Sequence, residues 1–159
     1  MALEIEKKFL LKNDSWRKDV TSSCRMTQGY IAASGVTVRV RISDNGAFLT
    51  LKGRPDANFS RTEFEYPVPE SDAKAMLAEF CGTRIVDKIR HFVPAGNGLV
   101  WEIDEYLALN TGLFTAEIEL PSPDTAFDTP DWLGDDVTGD PTYTNGALSR
   151  NPYTMREPK

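Results

Sequence analysis

The sequence predicts a mainly β (α+β) protein, a closed eight-stranded antiparallel β-barrel that forms a tunnel with a polar lumen and has a few helices packed outside. Short segments in which apolar and polar residues alternate recur along the chain, as in strands that bury one face. In seven of them the polar positions are charged, and neighbouring charges on one face often share a sign. The 159 residues fit one domain, so residues 1–159 are expected to fold together.

Eight segments carry the strand pattern and together span about residues 2–120. The tetrapeptide Ser43-Asp44-Asn45-Gly46 is typical of a tight hairpin turn. Short connections of this kind favour an antiparallel barrel or a sandwich. The segments lie at about 2–10, 25–33, 36–42, 48–52, 60–68, 84–93, 98–106 and 114–120.

Helices are expected at three places. Between residues 70 and 80, Ala73, Met76 and Leu77 share one face before Gly82. Ser122-Pro123 has the residues that often begin a helix, which predicts a helix at 122–128. A third, short helix is expected near 144–150, so the segment from about 122 to 155 is predicted to be largely helical.

Composition excludes several classes of function. The net charge of −6 argues against a nucleic acid or an anionic membrane as partner. No apolar run approaches the roughly 18 residues that a membrane-spanning helix needs. Two glutamates among the first six residues argue against a signal peptide, and Cys24 and Cys81 are expected to be free, buried thiols, so a cytoplasmic location is predicted. With His91 as the one histidine, a multi-histidine metal site is excluded.

The alternating charges are the most informative pattern. Side chains two residues apart in a strand point the same way, so each charged set shares a face, opposite its apolar neighbours. Eight carboxylates and six cations follow this rule. The carboxylates are Glu4, Glu6, Glu63, Glu65, Glu102, Asp104, Glu117 and Glu119, and the cations are Lys8, Arg39, Arg41, Lys52, Lys88 and Arg90.

Two interpretations fit these faces. They could be the solvated outer side of a half-buried sheet, but such a side normally mixes small polar residues with charges of both signs. Here Glu-x-Glu, Arg-x-Arg and Lys-x-Arg pairs dominate, and like charges so close repel unless a counter-charge lies between them. Paired carboxylates suit a hard divalent cation, and paired Arg and Lys suit phosphate. A closed barrel would collect all seven faces around one ligand, a metal-bridged polyphosphate.

Glu4-Ile5-Glu6-Lys7-Lys8 resembles the ExExK signature of the CYTH superfamily, the triphosphate tunnel metalloenzymes. The resemblance covers about residues 2–120 in the family's order, extends into the C-terminal region, and is greatest to the small bacterial inorganic triphosphatases. The blocks that carry it are Gln28-Gly29-Tyr30, Arg39-Val40-Arg41, Leu51-Lys52-Gly53, Arg61-Thr62-Glu63-Phe64-Glu65, Lys88-Ile89-Arg90, Trp101-Glu102-Ile103-Asp104 and Glu117-Ile118-Glu119-Leu120.

The resemblance implies an eight-stranded tunnel that binds a triphosphate, with Mg²⁺ or Mn²⁺ as cofactor. Metal ligands would be Glu4, Glu6, Glu117 and Glu119, while Glu63, Glu65, Glu102 and Asp104 would hold a second metal or orient the attacking water. The substrate would be bound by Lys8, Arg39, Arg41, Lys52, Lys88, Arg90 and Tyr30. Lys8 and Lys52 are the catalytic candidates, and whether a lysine or metal-bound hydroxide provides the base is left open.

The predicted function is metal-dependent hydrolysis of inorganic triphosphate to pyrophosphate and phosphate, with a small polyphosphate as partner. Alternatives are a hydrolase or cyclase acting on a nucleoside or thiamine triphosphate, and a non-catalytic polyphosphate-binding module. The sequence leaves open whether the protein forms a homodimer. It also leaves open whether Arg54 and Arg61 lie in the lumen or at its rim. Tyr30 could equally be a packed residue of the barrel wall, and His91 and the three tryptophans are expected on the outer, packed side.

Overall fold

A computed structural model describes residues 2–157. Within them the chain forms nine strands, two α-helices and four short 3-10 helices. The strands are β1 (Ala2–Leu11), β2 (Ser22–Ile31), β3 (Thr37–Ser43), β4 (Gly46–Lys52), β5 (Ser60–Pro67), β6 (Ile85–Gly96), β7 (Leu99–Tyr106), β8 (Phe114–Glu119) and β9 (Leu133–Asp136). The α-helices are α1 (Glu70–Phe80) and α2 (Asn145–Arg150), and the 3-10 helices span Ser15–Asp19, Ala108–Asn110, Pro141–Tyr143 and Tyr153–Met155.

The first eight strands close into the predicted antiparallel barrel. Their order around it is β1–β5–β4–β3–β2–β6–β7–β8, and β8 pairs with β1 again. Closure depends on β1, whose residues 2–5 pair with β5 and residues 6–10 with β8. Phe48↔Arg41 and Gly46↔Ser43 in the β3–β4 register confirm the hairpin with Asp44-Asn45 at its tip.

The strand β9 was not predicted. It pairs with β1 at Phe9 and Leu11, where the edge of β1 is no longer covered by β5. Gly134 permits this pairing, because a Cβ atom there would lie 2.8 Å from the carbonyl oxygen of Leu10. Its sequence, Leu-Gly-Asp-Asp, is too short and too polar to show an alternating pattern.

The apolar residues of the strands form the outer wall and its packing, as predicted. Trp101 contacts Phe9 and Trp132 edge to face, with ring centroids 5.8 and 5.5 Å apart. Trp16 belongs to the same buried group and is 1% exposed. All three tryptophans are therefore packing residues outside the lumen, and each contributes the ~2–3 kcal/mol expected of a large buried side chain.

The helix α1 confirms the helix expected at 70–80 and covers the outer face of the β2–β4 sheet. Ala73 is fully buried against Val40 and Ala47, with Met76 and Leu77 at the edge of this group. Gly82 has a φ of +59°, a left-handed conformation that terminates the helical path just after α1. No helix within residues 2–157 has the length and apolar character needed to span a membrane.

The helix predicted at 122–128 is wrong. Ser122 and Thr125 close a turn, through a backbone hydrogen bond of 3.2 Å and a contact of 2.9 Å between their hydroxyl groups. The chain then runs without regular structure, and Phe127 packs on Trp101 with ring centroids 5.7 Å apart. A helix of seven residues is unstable alone, so the packing of Phe127 decides the conformation. The segment 122–155 is thus much less helical than predicted.

The short helix expected near 144–150 is confirmed as α2. The hydroxyl of Thr144 accepts a hydrogen bond from the backbone N–H of Ala147 and so caps the first turn. Leu148 is fully buried among Val86, Tyr106 and Leu113, at the end of the barrel where β2 and β7 finish. The helix α2 therefore braces this end of the barrel and covers part of it.

The contact between α1 and the barrel predicts the effect of adding bulk to Gly29. A Cβ atom at this position would lie 2.6 Å from Leu77 Cδ2 and 2.7 Å from Cys81 Sγ. We expect Gly29→Val to lower the free energy of unfolding by ~1–3 kcal/mol, because the added methyl groups push α1 away. Urea denaturation would measure it, with Arg25→Val on the exposed outer side of the same strand as control. Equal stability of the two variants would contradict the tight contact.

Candidate active site

The lumen contains one large cavity of about 900 Å³. Its lining reaches from Ala2 and Glu119 at one end of the barrel to Arg54 and Gly146 at the other. Thirteen of the fifteen site residues predicted from the sequence line it. These are Glu4, Glu6, Lys8, Tyr30, Arg39, Arg41, Lys52, Glu63, Glu65, Arg90, Glu102, Glu117 and Glu119.

One side of the cavity, formed by β1, β7 and β8, is an acidic wall. The strand register sets Glu6 directly opposite Glu119, and Glu102 directly opposite Glu117. Like charges in directly opposed positions destabilise a sheet unless a cation lies between them. Burial, Glu117 and Glu4 together raise the pKa of Glu6 to about 8. Below about pH 8 the acidic wall therefore keeps a proton on Glu6, a position where a bound cation could take the proton's place.

Lysines neutralise part of this wall. Lys52 lies 2.8 Å from Glu4, whose second carboxylate oxygen is 3.0 Å from Arg61. Burial opposes ionisation of Glu4, but Lys52 and Arg61 outweigh it and lower the pKa of this carboxyl. Lys8 lies 3.2 Å from Glu117, and against the effect of burial this contact raises the pKa of Lys8. Among the described residues, Glu6 has no such ion pair.

The cavity is also lined by a basic group made of Arg39, Arg41 and Arg90, in which Arg39 pairs with Glu65 and Arg90 with Glu102. Burial, Arg39 and Arg90 lower the pKa of Arg41 to about 10. Arg39 is 8% exposed, and its Nε has no hydrogen-bond partner among residues 2–157. Unpartnered cationic donors that line a cavity favour an anion there, because such donors are costly to leave unsatisfied.

Gln28 links two members of the site. It is fully buried, its Oε1 accepts a hydrogen bond of 3.0 Å from Arg41 Nε, and its Nε2 donates one of 2.6 Å to the Tyr30 hydroxyl. Sequence reasoning gave Gln28 no role. The one sequence feature that pointed to Gln28 was that its polar side chain lies on the same face of β2 as Tyr30. Tyr30 itself lines the cavity, and Arg61 also faces the lumen, whereas Arg54 is exposed at the rim.

Lys88 and Asp104 do not line the cavity. Both are fully buried behind Arg90, with Lys88 Nζ 2.7 Å from Asp104 Oδ2. Asp104 also accepts two hydrogen bonds from Arg90, of 2.8 and 3.0 Å. Burial and the neighbouring arginines lower the pKa of Lys88, whereas Arg90 and Lys88 overcome burial and lower that of Asp104. The bidentate contact fixes the orientation of the Arg90 guanidinium.

The remaining singled-out residues lie outside the lumen chemistry. His91 contacts Ser23 and Glu105 on the outer side, and its ring lies 5.1 Å from that of Trp16. Cys24 and Cys81 are buried free thiols, as expected. Asn145, at the start of α2, lines the cavity and was not singled out from the sequence.

Residues 2–143 match the CYTH domain family. The chain belongs to this family. It is 41% identical over 154 residues to an inorganic triphosphatase of Acetivibrio thermocellus, covering 96% of this chain and 97% of the relative. It is 29% identical over 150 residues to an inorganic triphosphatase of Nitrosomonas europaea, covering 92% and 96%.

Solved structures with the CYTH tunnel agree with this assignment. The crystal structure of the inorganic triphosphatase NE1496 superimposes with a TM-score of 0.67 at 28% identity, covering 100% of this chain and 99% of that one. A protein from Hippeastrum, described as a putative adenylyl cyclase with a dominant triphosphatase activity, has a TM-score of 0.55 at 16% identity over 76% of this chain and 81% of that one, and shares the fold.

CYTH membership implies a divalent metal cofactor, and the acidic wall has the chemistry to hold one. Its glutamates supply the oxygen ligands that hard cations prefer. In the present conformation no three Asp, Glu, His or Cys side chains within residues 2–157 converge on one metal position. The cause is that Glu4 and Glu117 turn to Lys52 and Lys8. Binding would require these ion pairs to open.

The raised pKa of Glu6 predicts a pH-dependent stability of the metal-free protein. The folded chain holds the Glu6 proton more tightly than the unfolded chain, so the free energy of unfolding falls as pH rises from about 4.5 to about 8. The substitution Glu6→Gln removes this pH-dependent decrease in the free energy of unfolding. We expect the variant, in EDTA, to be more stable than the wild type by ~4 kcal/mol at pH 8 and by less than ~1 kcal/mol at pH 5. A gap that does not change with pH would contradict the buried, repelled carboxyl.

Proposed function

We propose that this protein hydrolyses inorganic triphosphate to pyrophosphate and phosphate with a divalent cation, Mg²⁺ or Mn²⁺. One observation carries the proposal: a single cavity holds an acidic wall in which Glu6 has no ion pair among the described residues, and a basic group in which Arg39 Nε has no hydrogen-bond partner among them. A metal-bound polyphosphate supplies the missing charge to both. The names of the two relatives, both inorganic triphosphatases, support the choice of substrate.

The metal ligands in this proposal come from the acidic wall and from the neighbouring strand β5. Glu4, Glu6, Glu117 and Glu119 would hold the cation, and Glu63, Glu65 and Glu102 would hold a second one or orient the attacking water. When bound, Mg²⁺ or Mn²⁺ supplies Lewis acidity and neutralises phosphate charge. With Glu117 and Glu4 as metal ligands, Lys8 and Lys52 would lose these ion-pair partners and would be able to turn to phosphate oxygens.

The substrate would be bound by the cations of the lumen. Arg39, Arg41 and Arg90 would hold equatorial oxygens of the phosphates, with Tyr30 as a hydroxyl partner. Lys8 and Lys52, which pair with Glu117 and Glu4 of the acidic wall, would stabilise the charge that develops on the transferring phosphoryl group. The raised pKa of Lys8 favours this cationic role over that of a base.

Lys88 and Asp104 act in this proposal through Arg90. Because both are buried behind its guanidinium, we assign them to positioning Arg90 rather than to direct contact with the phosphates or the metal. A homodimer and a cytoplasmic location stay predictions.

The proposal predicts a narrow substrate profile. Phosphate release should be measured from triphosphate, pyrophosphate, ATP and thiamine triphosphate, each with Mg²⁺, with Mn²⁺ and with EDTA. We expect rapid release from triphosphate in the presence of a metal and little from the other three compounds. Preferred turnover of ATP or thiamine triphosphate would replace the proposed substrate, and tight triphosphate binding without turnover would indicate a binding module.

Removal of a single acidic-wall carboxylate should abolish the activity. We expect Glu4→Gln and Glu6→Gln each to lower kcat at least 100-fold without loss of the fold, because each removes an anionic oxygen ligand. Glu105→Gln is the matched control, since this carboxylate lies on the outer side of β7 and contacts Arg17 and His91. Circular dichroism would check the fold. Wild-type activity in either lumen variant would remove that carboxylate from the mechanism.

A further inference from the structure

We propose that Asn145 binds the substrate anion directly, by donating a hydrogen bond from its side-chain Nδ2 to a phosphate oxygen. This inference rests on the function proposed above and adds a residue of the C-terminal segment to a site otherwise built from the barrel. Asn145 is the first residue of α2, half-buried, and lines the same cavity as the basic group.

The orientation of the amide group follows from its two partners. Asn145 Oδ1 accepts a hydrogen bond of 2.9 Å from the Tyr106 hydroxyl and a longer one of 3.4 Å from Lys88 Nζ. An ammonium group can only donate, so the oxygen, and not the nitrogen, faces Lys88. The Nδ2 group is thereby directed away from this buried pair, and it has no hydrogen-bond partner among residues 2–157.

The position of Asn145 beside the basic group makes an anion the fitting partner. Lys88 joins it to Asp104, and Asp104 in turn holds Arg90. The next residue, Gly146, approaches Tyr30, since a Cβ atom there would lie 4.0 Å from Tyr30 Cδ1. A neutral N–H donor in the cavity that these arginines line can bind a phosphate oxygen without adding to the repulsion that already lowers the pKa of Arg41.

The test is the isosteric substitution Asn145→Asp. An aspartate keeps the oxygen that accepts from Tyr106 and Lys88, but it replaces the free N–H donor by a second, negatively charged oxygen. We expect a melting temperature close to that of the wild type, a dissociation constant for tripolyphosphate at least tenfold weaker, and a raised KM with a smaller change in kcat. Isothermal titration with tripolyphosphate in EDTA would measure binding, and phosphate release with metal would measure KM and kcat.

Asn151→Asp is the matched control. It makes the same chemical change one residue beyond α2, at an exposed side chain that does not line the cavity. We expect it to bind tripolyphosphate as the wild type does, which separates a local effect from the added charge. If Asn145→Asp does not fold, Asn145→Ala tests the inference instead. We expect Asn145→Ala to bind tripolyphosphate about threefold or more weakly than the wild type.

Unchanged affinity and KM in Asn145→Asp would overturn the inference and leave Asn145 as an anchor of α2. Because that result requires an active wild type, it is distinct from failure of the proposed function, in which the wild type itself would not hydrolyse triphosphate. If the wild type binds tripolyphosphate without hydrolysing it, the titration alone decides the role of Asn145. If it does neither, both proposals fall.

Discussion

The fold is organised around the confinement of many like charges in one closed lumen. The charged pairs that alternate with apolar residues face inward, so the barrel brings glutamates of neighbouring strands into direct opposition, as with Glu6 and Glu119. Water cannot disperse these charges as it would on an outer surface, and burial makes their repulsion stronger. Internal ion pairs such as Lys52–Glu4 relieve part of it. The remainder is relieved by a proton on Glu6 or by a bound ligand of opposite charge.

This incomplete neutralisation explains how one site can bind both a cation and a polyanion. Each ligand lowers the cost of binding the other, because the metal offsets the acidic wall and the phosphates offset the basic group. Arg41 and Arg90 are held in place by the buried partners Gln28 and Asp104, so these two cations need little reorganisation at the moment of reaction. The repulsion that lowers the stability of the ligand-free protein therefore favours binding of the metal and the phosphates.

The sequence was sufficient to predict which face each strand residue takes, because the two-residue period depends only on backbone geometry. It could not predict how deeply each side chain is buried. Lys88 and Arg90 share a face, yet Lys88 is fully buried behind Arg90. The turn at Ser122–Thr125 was missed because long-range packing of Phe127 overrides a local helix signal. Gln28 and Asn145 were overlooked since uncharged amides leave no pattern, and β9 because four residues are too few for a period.

The strict alternation along the barrel also limits how the chain length can change during evolution. Inserting or deleting one residue within β1 would turn Glu4 and Glu6 outward into the tryptophan-rich wall and turn Ile5 into the lumen. Inserting or deleting two residues would keep the inward and outward faces of β1 but would shift its register against both β5 and β8. Length variation among related chains should therefore concentrate in the connecting loops, where a change of length does not alter which strand residues face the lumen.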